Sequence, residues 1–192
     1  MTRIIAGSAR GRRLVVPPGE VRPTSDRVRE ALFSALEAEA GLIGAAVLDL
    51  CAGTGALGIE ALSRGATHAL FVESDRRVAA VLRRNLAELG LTEHAQVRVA
   101  PAASVLARPA PRGYDLVLVD PPYAVSNAEI TDWLRAGWTH GWVTNATTVV
   151  VERPARAGAF GWPDPLQPRQ ERRYGDTVLH WAHPGGEELG KP

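Results

Sequence analysis

Ala46-Val47-Leu48-Asp49-Leu50 runs without a break into Cys51-Ala52-Gly53-Thr54-Gly55-Ala56-Leu57-Gly58. A short apolar run closed by glycines reads as a buried strand, because its length and flanking residues set it apart from a buried helix. Gly53, Gly55 and Gly58 then fall at the spacing G-x-G-x-x-G. The first two glycines permit a tight turn and close approach of a ligand to the backbone; the third lets the next helix pack on the sheet. That helix is predicted over about Leu57 to Ser63, with Gly65 ending it. Ala69-Leu70-Phe71-Val72 follows as a second strand and closes on Glu73. Glu73 lies about 20 residues past Gly53, the offset at which an acid takes ribose hydroxyls. Strand, glycine loop, helix and strand together predict a parallel α/β sheet with a nucleoside site at its carboxyl edge.

The glycine spacing alone suits a NAD-dependent oxidoreductase as well as an enzyme with a nucleoside cofactor. Asp49 separates the two. A pyrophosphate at a helix N-terminus is disfavoured by a nearby carboxylate, whereas a cofactor carrying sulfonium and ammonium groups is favoured by one. The residues therefore favour S-adenosylmethionine. Asp49 can also cap loop amides, and the two roles are compatible.

A second strand end carries the chemistry. Leu116-Val117-Leu118-Val119 stops at Asp120-Pro121-Pro122-Tyr123. Proline cannot donate to a sheet ladder, and the residue before it is held away from helix. The tetrapeptide thus presents a carboxylate, proline carbonyls and an aromatic ring where ligands bind in such sheets. The carboxylate and a carbonyl can accept hydrogen bonds from an exocyclic NH2 while the ring stacks on a flat heterocycle. A nucleobase amine fits that set. The bland alternative is an ordinary strand-to-loop turn.

With these motifs, the chain resembles the class I S-adenosylmethionine-dependent methyltransferases. More narrowly, it is similar to the RsmD-type 16S ribosomal RNA guanine-N2 methyltransferases. The resemblance rests on Arg10-Gly11-Arg12-Arg13-Leu14, on Arg22-Pro23-Thr24-Ser25-Asp26-Arg27-Val28-Arg29-Glu30-Ala31-Leu32-Phe33, on the glycine loop, on Phe71-Val72-Glu73, on Asp120 to Tyr123, and on Tyr174-Gly175-Asp176-Thr177. It implies a Rossmann-like, mostly parallel seven-stranded sheet with an antiparallel C-terminal edge hairpin, preceded by a small N-terminal β-hairpin extension. Asp120, Pro121, Pro122 and Tyr123 are the expected catalytic set. Asp49, Ala52, Gly53, Thr54, Gly55, Glu73, Ser74, Ala102 and Asp120 are expected to hold S-adenosylmethionine. The expected partner is 16S rRNA, within an assembled or partly assembled small ribosomal subunit. One departure stands out. Methyltransferases often carry Asp or Asn after the strand that is here Gln96-Val97-Arg98-Val99, but this chain continues Ala100-Pro101-Ala102-Ala103-Ser104. Adenine would be read by backbone around Ala102, or by Ser104.

Charge is distributed unevenly. Formal net charge is only +1, yet residues 1–30 hold seven arginines against three acids, and residues 153–173 hold five against two. The N-terminal cluster predicts phosphate contacts from Arg10, Arg12, Arg13, Arg22, Thr24 and Arg27, in the Arg-rich hairpin and the Arg22–Arg29 segment. A solvated basic edge strand would look similar. Lone Cys51 excludes an internal disulfide framework, and the histidines show no metal spacing, so no metal is expected. No apolar run approaches the ~20 residues of a membrane span, and the N-terminus lacks a signal core. These features predict a soluble cytoplasmic protein, with a monomer as the default.

Along the chain, Ile4–Ala6 and Arg12–Val16 are predicted to pair as a hairpin. A helix from about Ser25 to Ala40 is expected to start at Thr24 or Ser25. Further helices fall over Arg76 to Leu89 and Asn127 to Trp142, the latter with Trp133 and Trp138 on its buried stripe. Thr147–Val151 is a further buried strand; Gln170–Tyr174 and Thr177–Trp181 form a terminal hairpin. The expected organisation is an extension at 1–23, a catalytic domain at 24–183 and a disordered tail at 184–192. Three other functions fit parts of this pattern. An amino-methyltransferase acting on DNA adenine or cytosine shares Asp120–Tyr123, a NAD-dependent oxidoreductase shares the glycine loop, and a non-catalytic RNA-binding protein shares the arginines.

Overall fold

The computed structural model describes residues 2–17, 25–39 and 41–185. A two-stranded antiparallel hairpin, β1 (Thr2–Arg3) and β2 (Arg13–Leu14), precedes helix α1 (Asp26–Glu39). The remaining chain alternates: β3 (Ala46–Leu50), α2 (Ala56–Ser63), β4 (His68–Glu73), α3 (Arg76–Glu88), β5 (Ala95–Val99), α4 (Ala102–Leu106), β6 (Leu116–Val119), α5 (Asn127–Thr139), β7 (Thr148–Pro154), β8 (Leu166–Tyr174) and β9 (Thr177–Pro184). Strands β3 to β9 form one seven-stranded sheet in the order β5-β4-β3-β6-β7-β9-β8. The first five run parallel, while β9 pairs antiparallel with both β7 and β8. This is the Rossmann-like, mostly parallel sheet with an antiparallel C-terminal hairpin that the resemblance implied.

Each central strand is buried on both faces, which explains its unbroken aliphatic sequence. Val47, Phe71, Leu118 and Val150 face one core with α1, α2 and α3. Leu48, Leu50, Leu70, Val117 and Val151 face the other, with α4 and α5. Because side chains alternate along a strand, Asp49 shares the face of Val47 and is driven under α2. The chain leaves β3 outward through β4 and β5, then returns to lay β6 on the other side. The carboxyl ends of β3 and β6 therefore flank the switch point where ligands bind in such sheets.

The N-terminal hairpin pairs earlier than its sequence suggests. β1 ends at Arg3, and only the Ile4 and Gly11 amides extend the pairing, to Arg12 and Ile4 carbonyls respectively. Ile5 and Ala6 turn instead to Glu60, whose carboxylate accepts both amides at 2.8 and 3.0 Å. Glu60 is fully buried and also accepts from Arg64 Nε at 2.8 Å. Next to it, Ser63 Oγ accepts from the Ala9 amide at 2.9 Å and donates to the Ala6 carbonyl at 2.5 Å. Gly7 lies so close to α2 that a Cβ there would sit 1.7 Å from the Ser63 carbonyl oxygen.

Other boundaries also moved. α5 stops at Thr139, and Trp142, beyond it, is fully buried, whereas Trp133 and Trp138 are only partly covered. Trp142 stacks on Tyr114 at 5.9 Å and donates Nε1–H to the Arg108 carbonyl at 2.7 Å. The strand expected over Thr147–Val151 runs Thr148–Pro154, and the terminal hairpin is longer at both ends, with β9 reaching Pro184. Ser25 Oγ accepts from the Val28 amide at 3.3 Å, as a cap for α1. The remainder of the expected tail, 186–192, lies outside the described residues.

Candidate active site

A cavity of about 500 Å³ opens at the carboxyl edge of β3, β4 and β6. It gathers Asp49, Ala52, Gly53, Thr54, Glu73, Ser74 and Ala102 of the expected cofactor set, together with all of Asp120, Pro121, Pro122 and Tyr123. Two motifs separated by some 60 residues of sequence thus meet in one place because β3 and β6 are neighbours, with Leu50 in register with Val119. Val16 and Pro17, just past the N-terminal hairpin, line the same cavity.

The glycines divide their work. Gly53 and Gly55 both take positive φ, 55° and 91°, which makes the turn out of β3 possible. Gly53 lines the cavity. Gly55 does not; it faces α3, where a Cβ would come within 2.3 Å of Leu82 Cδ1. Gly58 lets α2 settle on the sheet, since a Cβ there would meet the Phe71 ring at 2.3 Å.

Asp49 is buried, and its Oδ2 accepts from the Gly58 amide at 2.8 Å. Its Oδ1 is buried without a hydrogen-bond partner among the described residues. Desolvation pushes the Asp49 pKa up to about 8; the Gly58 amide opposes that rise, while the Asp120 and Glu73 carboxylates add to it. An acid in that condition takes up a cation readily, because the cation supplies the charge compensation that burial removed. Glu73 holds the loop from the other side, accepting from the Gly53 and Asp75 amides, each at 2.8 Å. Cys51, at positive φ in the same loop, has its thiol pushed up to about 12, chiefly by burial and then by Glu73, Asp120 and Asp49. It stays protonated and is no nucleophile.

Aliphatic walls complete the slot: Leu57, Val72, Val78, Ala100 and Ala102 line it. Ala102 begins α4 and lines the cavity, whereas Ser104 is exposed and outside the lining. An apolar cleft with acids at two strand ends and one unpaired buried carboxylate oxygen suits a nucleoside that carries positive charge.

At the mouth, Tyr123 is 59% exposed, an unusual position for a large aromatic side chain. The loop behind it is fixed by Arg153, which the sequence counted among the basic residues. Arg153 is buried, and donates to the Val125 carbonyl at 2.6 Å and to Asn127 Oδ1 at 2.9 Å. Burial pulls its pKa down, with the Asp120 carboxylate opposing. Arg29 differs from expectation in the same way. It is fully buried, donates to the Arg3 carbonyl at 2.6 Å and to Asp26 Oδ1 at 2.7 Å, and ties the hairpin to α1. Charge counting finds neither role, because a buried arginine and a surface arginine are identical in sequence.

Arg10, Arg12, Arg13 and Arg27 are exposed, and Arg12 donates to the Glu88 carbonyl at 2.7 Å. Arg22 and Thr24 lie outside the described residues. One unforeseen side chain links the hairpin to the glycine loop. Asn85 of α3 accepts from the Val15 amide at 2.9 Å, and its Nδ2 donates to both the Val15 and Thr54 carbonyls, at 3.1 and 3.0 Å.

Comparison with known proteins agrees with this geometry. The family described as "Conserved hypothetical protein 95" matches residues 2–183. Ribosomal RNA small subunit methyltransferase D of Escherichia coli K12 is 42% identical over 158 residues, covering 81% of this chain and 76% of that one. The protein of the same name from Haemophilus influenzae is 42% identical over 130 residues, 66% of each chain. Among solved structures, yhhF from Escherichia coli superposes with a TM-score of 0.85 at 33% identity, covering 97% of this chain and 99% of its own. The chain belongs to the ribosomal RNA small subunit methyltransferase D family.

Proposed function

We propose that this protein transfers the methyl group of S-adenosylmethionine to the exocyclic N2 of a guanine in 16S rRNA, acting on an assembled or partly assembled small ribosomal subunit. The observation that carries this reading is the convergence of Asp120-Pro121-Pro122-Tyr123 and the Asp49–Gly53–Glu73 loop in one cavity. Relatives named ribosomal RNA small subunit methyltransferase D support the class of substrate.

The donor set fits the cofactor. Asp49, with its unpaired buried Oδ1, would face the cationic portion, Glu73 the ribose hydroxyls, and Val72, Ala100 and Ala102 the adenine. When bound, S-adenosylmethionine supplies an electrophilic methyl group. The protein supplies alignment. A guanine N2 is a weak nucleophile because its lone pair is delocalised into the ring. Asp120 and the Pro121 carbonyl accept its two hydrogens and turn the lone pair toward the methyl carbon. No strong base is required, since the nitrogen becomes acidic only as its new bond forms; Asp120 or water then takes the proton. Tyr123 stacks on the base, and near-contact geometry supplies most of the acceleration. A base inside a helix cannot enter, so the target is unpaired or flipped out.

The direct test offers the protein and label-bearing cofactor to small subunits from cells lacking this gene, to naked 16S RNA and to duplex DNA, followed by nucleoside analysis. Label in N2-methylguanosine from a ribosomal substrate alone is the expected result. Label in DNA, or in another nucleoside, overturns it.

Arg10, Arg12 and Arg13 would grip phosphates around the target. Replacing all three with Ala is expected to weaken RNA binding and to flatten its salt dependence by about 2 in log–log slope, at roughly 0.7 to 0.9 per phosphate contact. Cofactor affinity stays constant. A titration series over ionic strength measures both, and an unchanged slope refutes the assignment.

Asp49 predicts a proton linked to cofactor binding. Its pKa is about 8 in the free protein, so it is mostly protonated at pH 7 and ionises when a cation arrives. Binding should release close to one proton near pH 7, and affinity should rise with pH until about 8. Calorimetry in buffers of differing ionisation enthalpy measures the release. The stability of the free protein moves the other way. A carboxyl whose folded pKa is raised holds its proton more tightly when folded, so its contribution declines as pH rises from about 4 to about 8. Asp49→Asn should remove both dependences and weaken cofactor binding. A binding isotherm that is flat between pH 6 and 8 would count against the ion pair.

A further inference from the structure

Tyr123 stands at the cavity mouth with one ring face covered. The Arg156 guanidinium carbon lies over that ring, 5.1 Å from its centroid. Tyr123 lines the cavity, whereas Arg156 is outside its lining. A base that stacks on Tyr123 would take the ring face that Arg156 leaves uncovered.

The mount for Arg156 is rigid. Arg156 sits in a single turn, Ala155–Ala157, that leaves β7 at the site end of the sheet. The Ala155 amide donates to the Asp176 carbonyl at 2.7 Å. Asn127 Nδ2 donates to the Ala157 and Ala159 carbonyls at 3.1 and 3.0 Å, and Asn127 Oδ1 in turn accepts from buried Arg153. Arg153 also donates to the Val125 carbonyl, two residues past Tyr123. The segment carrying Arg156 and the loop carrying Tyr123 are therefore strapped together by Asn127 and Arg153, which sets the backbone from which exposed Arg156 reaches the ring.

We propose that Arg156 is a positioning residue for the target base, acting through Tyr123; this rests on the reading that Tyr123 stacks on the base. An exposed tyrosine loses side-chain freedom when a base stacks on it, and a ring already held by a cation has less to lose. The cation also draws electron density from the ring, which favours stacking of an electron-rich purine on the opposite face. Arg156 thus orders the platform before RNA arrives.

Methyl transfer to small subunits is measured for the wild type, Arg156→Ala, Arg156→Lys, Tyr123→Ala and the double variant. Equilibrium binding of the particle, which needs no turnover, is measured alongside. Arg156→Ala should raise the KM for the particle about two- to tenfold, the scale of one cation–aromatic contact plus one ordered side chain. Cofactor affinity and the salt slope of RNA binding stay unchanged. Arg156→Lys should restore part of the loss, and Arg156→Ala should have no further effect in the Tyr123→Ala background. Wild-type behaviour of Arg156→Ala overturns the proposal. So does a loss that persists without Tyr123 and comes with a shallower salt slope, which would make Arg156 a plain phosphate contact. A wild-type protein that labels no RNA is a separate result and defeats the functional reading itself.

Discussion

Asp120→Asn is expected to reduce methyl transfer about a thousandfold, the range seen when an oriented polar group at a reacting centre is removed. The side chain keeps its size and position at the end of β6. Its amide, however, can present N–H to an amine that needs acceptors, so the lone pair is no longer steered. Cofactor affinity should change by less than about tenfold, the scale of a single partly exposed charge. A second readout comes from Asp49, whose raised pKa owes part of its shift to Asp120. Removing that carboxylate should lower the Asp49 pKa and reduce the proton released on cofactor binding at neutral pH. Single-turnover kinetics and calorimetry on the same preparation decide it. Full activity in Asp120→Asn would reject the proposed chemistry.

The other large effect is structural. Glu60→Leu should destabilise the protein by about 3–5 kcal/mol, because it strips buried Arg64 of one of its two carboxylate partners and leaves two backbone amides unpaired. Those groups are Arg64 and the Ile5 and Ala6 amides. For a chain of this size the melting temperature should fall by roughly 6–20 °C. Hydrogen exchange should quicken most at Ile5 and Ala6, since the hairpin loses its attachment first. Glu60→Gln, which retains an acceptor but not the charge, should fall between. Protection at Ile5 and Ala6 equal to wild type would mean that the hairpin is held elsewhere.

The readings that matched the structure depended on short-range spacing. The glycine loop, Asp49 and Glu73 lie within one strand–helix–strand unit, so their mutual geometry follows from local rules and a handful of residues. Asp120–Tyr123 was legible because prolines stop a strand visibly. The hairpin register was not, because the groups that capture Ile5 and Ala6 come from a carboxylate 54 to 55 positions away. Arg29 was counted with the RNA-facing segment and Arg153 only among the basic residues of 153–173, and burial turned both into internal ties. Asn85 carried no signal at all; an asparagine at position 85 looks like any solvated helical residue until Val15 and Thr54 close around it. Gly55 was placed in the right loop for a partly different reason, since space for Leu82 demands its missing side chain.

The bridge made by Asn85 has a thermodynamic corollary. One carboxamide is shared between the exit of the N-terminal hairpin and the glycine loop that lines the cavity. Whatever restrains one of those segments lowers the entropy still to be lost by the other. If the hairpin holds RNA, the two ligands are heterotropic effectors of each other, and the coupling has equal size in both directions. The enzyme then disfavours half-filled states: a cofactor-bound molecule grips its particle more firmly, and a demethylated cofactor that leaves loosens the hold on the product.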